Sequence, residues 1–203
     1  MQAASVAFSK ALSARLHDNR PARIGCLLES TLNNHEPLLA MDISLAAIVP
    51  HKEAAIALAA DRLSQGAGMP YGDVKAALME RETLGSTALA RGLAMPHAMA
   101  RACPRPACAL IGLATPVDFD APDNVGVDVM VALIWPQSRV KEFIRTSSLA
   151  SRILLDPAIV EAARSAVDPE RIRSLLRARL FTFRSTSPPC VPMAGHVDGL
   201  PRL

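Results

Sequence analysis

Aromatic residues are scarce in this 203-residue sequence, with phenylalanine, tryptophan and tyrosine together making up 3% of it. With so few rings to stack on bases and a net charge of only +3, nucleic-acid binding has little to rest on, and no nucleic-acid partner is expected. Cysteine is sparse too. The thiols Cys26, Cys103, Cys108 and Cys190 form no C-x-x-C pair and have no histidine at finger spacing, so no metal site is expected and reduced thiols in a cytoplasm are the simple reading. Long apolar runs are missing. The longest, Val129 to Trp135, has seven residues, far short of the roughly 20 that span a bilayer. No membrane span, and hence a cytoplasmic location, is expected. No internal repeat is visible. What is present is a half-apolar composition and a length sufficient for one sizeable core.

Residues 1–40 carry Ser, Arg and Ala with few acids in the first half and lack the continuous apolar stretch of a secretory signal. They are expected to be a weakly ordered extension, with Met41 as an alternative start and organellar targeting as the minor reading. A domain is expected over 41–180. In it Lys52 to Gln65 shows Ala55, Ile56, Leu58, Ala59 and Leu63 at helical spacing, ended by Gly66-Ala67-Gly68 and Pro70. Tyr71 to Glu80 predicts a second helix that delivers Arg81 and Glu82 into a loop. Ala107 to Ala114 and Val127 to Trp135 predict strands of one buried sheet. A long helix follows from Arg139. Two shorter ones, Pro157 to Ala166 and Pro169 to Leu176, each open on Asp-Pro, with the aspartate as N-cap and proline in the first helical position. The fold class is therefore α/β, a central mixed β-sheet flanked by helices on both faces. From Phe181 to Leu203 the periodicity stops, and Ser-Pro-Pro, Gly195, Gly199 and Pro201 predict a disordered tail in which His196 has no assigned role.

The most informative stretch runs from Arg81 to His97. Leu93, Ala94 and Met95 are apolar, while Pro96 has no N–H to donate, so a strand is expected to end there with His97 at the sheet rim. A neutral imidazole carries a lone pair near pH 7 and is among the few side chains that can attack phosphorus and later return the phosphoryl group. A Pro-His pair by itself fits a strand end with a solvated ring equally well.

The words Arg-Glu-x-Leu-Gly-Ser-Thr and Gly-Leu-Ala-Met-Pro-His resemble, in content and order, the active-site segment of the type-2 (fructose/mannitol class) enzyme IIA domains of the bacterial phosphoenolpyruvate-dependent phosphotransferase system. The run Thr115 to Asn124, then Val127-Asp128 and an apolar strand, is most similar to the nitrogen-regulatory branch. The resemblance covers about residues 41–179. It implies the same mixed sheet between helices, His97 as phosphoryl acceptor, Arg81 steadying the phosphate, an HPr-like phosphocarrier protein as donor, regulatory protein targets, and no small-molecule cofactor or metal. Arg81 read alone is equally an ion-pairing helix-end residue. Ser86 and Thr87 either hold phosphate oxygens or close a turn. Asp120, Asp123 and Asn124 either order the site or are solvated turn residues.

The sequence departs from the resembled pattern in two respects. Where many members carry a second histidine this chain has Phe143, which cannot donate to a phosphate. The glycines expected after Ser-Thr and after Pro-His are Ala88, Ala90 and Ala98, which would strain the site if those positions require φ > 0. The expected function is thus a phosphohistidine carrier with a regulatory role. The alternatives are a regulatory binding module that no longer takes phosphate, a sugar-transport enzyme IIA component, and a metal-dependent hydrolase using scattered His, Cys and Asp.

Overall fold

A computed structural model describes residues 36–166 and 168–185, with side chains described as far as Thr182. Cys26, Cys190, His196 and most of the expected extension and tail lie outside the described residues.

The first described element is a short helix, α1 (Glu36–Leu39), followed by β1 (Asp42–Ala47), α2 (Lys52–Ala67) and α3 (Tyr71–Thr83). Two short strands, β2 (Leu93–Ala94) and β3 (His97–Ala100), precede the long β4 (Ala107–Val117) and β5 (Val127–Pro136). A 3-10 turn at Gln137–Arg139 leads into α4 (Val140–Leu154), α5 (Pro157–Arg164) and α6 (Pro169–Ser185). The five strands form one sheet in the order β1-β4-β5-β2, with β3 also on β5. β1 runs parallel to β4, β4 antiparallel to β5, and β2 and β3 parallel to β5, so the sheet is mixed as expected.

Both faces are covered, and the period of two along the strands shows it. Ala109 and Ile111 of β4 with Met130, Ala132 and Ile134 of β5 bury against Ile56 and Leu63 of α2 and Val74 and Leu78 of α3. Their neighbours Cys108, Leu110, Val129, Val131, Leu133 and Trp135 face the other way, against Ile153 and Leu154 of α4, Ile159 of α5 and Leu176 of α6. Gly112 allows close approach there, because a Cβ on it would lie 2.8 Å from the Ala163 carbonyl oxygen.

Helix starts follow the local chemistry. Asp156 accepts from Ala158 N at 3.0 Å and Asp168 from Glu170 N at 3.1 Å, so each Asp-Pro pair caps a helix as the sequence predicts. His51 is the N-cap of α2, its Nδ1 accepting from Ala54 N at 3.3 Å.

Several boundaries differ from the sequence reading. The fold begins before Met41: Leu38 in α1 is fully buried and joins the core with Met41, an anchor too short to show periodicity. α3 continues through Thr83, so Arg81 and Glu82 stand in its last turn and not in a loop. α6 reaches Ser185, past the expected end of the domain at 180 and well past Leu176. Most importantly, the strand does not end at Pro96. β2 and β3 pair with β5 in one unbroken register, Leu93 opposite Val129 and His97 opposite Leu133. Pro96 still contributes its carbonyl, which accepts from Leu133 N at 2.9 Å, and only the return bond is missing. An edge strand tolerates that loss, so the chain continues as strand over His97–Ala100.

Candidate functional site

His97 lies on this edge strand, among odd-numbered neighbours that pack toward α4. Its ring centroid is 5.7 Å from that of Phe143 on α4, and Phe143 in turn is 6.2 Å from Trp135. Arg81 arrives from α3, on the opposite layer, and reaches the open edge: its Nε donates to His97 Nε2 at 3.1 Å, while its Nη1 donates to the Gly85 carbonyl at 3.0 Å.

The other ring nitrogen decides the tautomer. His97 Nδ1 lies 2.8 Å from the Met95 carbonyl oxygen, which can only accept, so Nδ1 carries the proton and Nε2 carries the lone pair. Burial lowers the imidazole pKa from its usual 6.5 despite opposition from the Met95 carbonyl; the Arg81 charge lowers it further and Glu82 works against it. The ring is therefore neutral at pH 7 and nucleophilic at Nε2.

A second group of residues holds the loop that carries Gly85 to Gly92. Glu82 is buried, and its two carboxylate oxygens accept from Thr87 N at 3.1 and 3.2 Å. Oε2 also accepts from Thr87 Oγ1 at 2.6 Å, and Oε1 pairs with Lys52 Nζ at 2.7 Å. Lys52 lies 3.0 Å from Asp120 Oδ2 and 5.4 Å from the centre of the Phe119 ring. Burial pulls the Lys52 pKa down, but its bonds and charge interactions with Glu82 and Asp120 outweigh this and raise it. Ser86 Oγ donates to the Phe119 carbonyl at 2.5 Å and accepts from Ala88 N at 3.1 Å. Both hydroxyls of the Ser-Thr pair thus tie the loop to its surroundings, one to Glu82 of α3 and one to the Phe119 carbonyl. The Thr87 carbonyl accepts from Met95 N at 3.0 Å, which anchors the residue whose own carbonyl orients His97.

The loop then turns back on itself. Arg91 and Gly92 have φ of 62° and 78°, and Leu93 N donates to the Ala90 carbonyl at 3.3 Å, the tight hairpin geometry with two left-handed central residues. Asp123 Oδ2 accepts from Arg91 N at 2.7 Å, a bond that lowers the Asp123 pKa, and Arg164 Nη2 donates to the Arg91 carbonyl at 2.7 Å. Arg164 also grips Asp128 with two bonds of 2.9 and 3.0 Å. Of the acidic loop, Asp120 and Asp123 are therefore tied to the site's scaffold.

Ala88, Ala90 and Ala98 are not among the positive-φ residues, so the backbone strain that alanine would suffer at such positions does not arise. Phe143 lies beside His97, where the sequence comparison placed the missing second histidine. Sequence reading missed Lys52 as the partner of the buried Glu82, since a lysine in the first turn of a helix carries no signal of a contact thirty residues away. Cys108 is buried, with its thiol pKa pushed up, and Cys103 is raised by burial as well, so neither is a reactive thiolate. Among the described residues no group of three or more His, Cys, Asp or Glu is placed to hold a metal ion, and no helix is long and apolar enough to cross a membrane.

A family model described as "Phosphoenolpyruvate-dependent sugar phosphotransferase system, EIIA 2" matches residues 37–178. A nitrogen regulatory protein of Escherichia coli (strain K12) is 30% identical over 126 residues, covering 62% of this chain and 77% of that protein. One of Pseudomonas aeruginosa is 32% identical over 99 residues, 49% of this chain and 64% of that protein. Among solved structures, nitrogen regulatory protein IIA-Ntr from Neisseria meningitidis superimposes with a TM-score of 0.62 at 29% identity, covering 66% of this chain and 92% of its own. The crystal structure of IIA mannitol from Escherichia coli, at 21% identity and a TM-score of 0.56 over 66% of this chain and 95% of its own, shares the fold.

Proposed function

Given that the chain belongs to the EIIA type-2 family of the phosphoenolpyruvate-dependent phosphotransferase system, we propose that it is a phosphohistidine carrier of the nitrogen-regulatory kind, with His97 as acceptor. The functional unit is the domain expected at 41–180, extended at its start by the helix Glu36–Leu39. The observation that carries the reading is the pair of bonds on the His97 ring, Nδ1 to Met95 O and Nε2 to Arg81 Nε.

In the reaction the Nε2 lone pair attacks the phosphorus on the phosphohistidine of an HPr-like donor. A new N–P bond forms, the donor's N–P bond breaks, and the electron pair of that bond returns to the donor's imidazole. Phosphoryl transfer leaves the protein the tasks of alignment and charge stabilisation. Met95 O performs the first by keeping the proton on Nδ1. Arg81 performs the second: its N–H lies on the attacking lone pair at rest and exchanges that bond for bonds to the phosphoryl oxygens, which suit a guanidinium fork. Ser86 and Thr87 act here by bracing the loop. The phosphorylation state of His97 then controls binding to regulatory protein targets, in keeping with the similarity to nitrogen regulatory proteins.

Phe143 favours a second reading, a regulatory module that keeps the fold and takes no phosphate, because an apolar ring on the imidazole supplies no hydrogen bond to a phosphoryl group. A fructose-specific EIIA component of Haloferax volcanii, 27% identical over 100 residues, is the counterpart for a sugar-transport role. Radiolabelled phosphoryl transfer from phosphoenolpyruvate through enzyme I and HPr-type proteins separates the first two. Acid-labile label on the protein that disappears in His97→Ala is the expected result. No label with active upstream proteins matched to the organism leaves the binding module.

A further inference from the structure

At the end of the sheet where β1 and β4 begin and β5 ends lies a cleft of about 650 Å³ that does not include His97. Four arginines from four different segments line it: Arg62 of α2, Arg105 before β4, Arg139 of the 3-10 turn and Arg173 of α6. Among the described residues the lining also holds two carboxylates, Glu36 and Asp42. The volume is that of a small-molecule site, and four guanidinium groups around one cleft bring many N–H donors to an anion.

The partners these arginines have leave donors over. Arg105 Nε donates to the Gly66 carbonyl at 2.6 Å, and Arg173 donates to the Met41 carbonyl at 2.9 Å and to Glu170 at 3.1 Å. Arg139 pairs with Glu142. Arg62 Nε is buried with no hydrogen bond among the described residues, 3.8 Å from Asp61 Oδ2. Each guanidinium has five N–H donors, so every one of the four keeps several for a ligand. Forks arriving from several directions match the spread oxygens of a phosphate chain better than a planar carboxylate, which one or two forks saturate.

We propose that this cleft binds a phosphorylated small molecule through a multiply charged phosphate group, at a site separate from the phosphoryl acceptor. His97, Leu133 and Cys108 are lateral neighbours across the sheet, so the cleft wall at Cys108 lies two strands from His97. Arg139 stands just before the helix that brings Phe143 against His97. The site therefore adjoins the acceptor without sharing its side chains.

The test is titration calorimetry of the full chain with pyrophosphate and, separately, ADP, in the absence of any phosphoryl donor. The expected result is saturable binding of both, unchanged in His97→Ala and about tenfold weaker in each of Arg62→Gln and Arg139→Gln, the loss that one charge-assisted hydrogen bond represents. Circular dichroism and melting temperature establish that these variants fold. Amide shifts on the unmodified protein give an independent reading, and pyrophosphate is expected to move Gly66, Arg105 and Arg139. The proposal is overturned by the absence of saturable binding at roughly millimolar ligand. It is equally overturned by unaltered affinity in both arginine variants, by loss of binding in His97→Ala, or by shifts centred on Arg81 and His97. Because phosphorylation of His97 is not needed for any of these readouts, failure here leaves the carrier reading standing, and failure of the carrier reading leaves this one standing.

Discussion

Glu82→Gln removes the buried charge at the centre of the loop scaffold while keeping the side chain's shape. The glutamine oxygen can still accept from Thr87 N and Oγ1, but its amide must then face Lys52 Nζ, donor against donor, where Oε1 now sits at 2.7 Å. Hydrogen bonds to charged groups contribute about 1.5–3 kcal/mol each, and breaking a fully buried pair costs about 3–5 kcal/mol. Lys52 retains Asp120, whose side chain is 78% exposed and so a weak substitute, and Lys52 itself is 21% exposed. The expected loss is about 2–3 kcal/mol. It is measured as a lower urea midpoint at unchanged slope at pH 7, or as a fall of about 5–10 °C in melting temperature for a chain of this size. Lys52→Met in the Glu82→Gln background should recover part of it, since the unpaired ammonium is then gone. A Glu82→Gln protein within about 0.5 kcal/mol of the parent, with no coupling to Lys52→Met, would refute the claim that this carboxylate braces the loop.

The pH dependence follows from His97. Its folded pKa is lowered by burial, so between that value and the usual 6.5 the unfolded chain binds more protons than the folded one. Stability therefore rises with pH through that window; the contribution is complete above 6.5 and is lost as pH falls toward the folded value. Thermal melts of His97→Gln should show a shallower decline on acidification below 6.5 than the parent, and parallel curves would contradict the assignment. Gly92→Ala places a Cβ at φ of 78°, 2.9 Å from Asp128 Oδ1 and 3.1 Å from the Gly126 carbonyl. A cost of about 2–4 kcal/mol in urea unfolding is expected from strain and displacement of the Asp128–Arg164 clamp, and a neutral result would mean that the turn yields freely. Phe143→His sets N–H donors beside the acceptor ring and should speed phosphorylation by the HPr-type donor about tenfold or more, since one charge-assisted bond contributes about 1.5–3 kcal/mol; an unchanged or slower rate argues against a phosphoryl group at His97.

Much of this molecule is legible without coordinates where the signal is local. The helices expected over 52–65 and 71–80, the buried runs of β4 and β5 and the Asp-Pro caps follow from spacing and from single side chains acting on nearby backbone, with the helix ends running two or three residues further. The misreading at Pro96 has a definite cause. A proline predicts a missing donor, but whether that ends a strand depends on which neighbour the donor would have faced, and here a carbonyl bond to Leu133 suffices to carry the strand on. Likewise alanine at 88, 90 and 98 strains the backbone only if those residues need φ > 0, and their torsion angles are decided by the closed hairpin with its bonds to Asp123 and Arg164 for the first two and by the pairing of β3 with β5 for Ala98.

By itself the sequence determined the fold class, the order of the main elements, and the candidacy of His97 and Arg81, because period, punctuation and motif words are properties of residues near one another in the chain. Only the tertiary structure decided that Nδ1 of His97 is the protonated nitrogen and that Arg81 meets Nε2 across the sheet edge. It alone decided that Glu82 joins Lys52 to Thr87, and that four distant arginines share one cleft. The Lys52–Glu82 pair, the Arg81–His97 bond and the arginine cleft join separate segments, set by how the helices close over the two faces of the sheet, while the Met95 and Thr87 bonds are short in sequence but depend on the closed loop for their geometry.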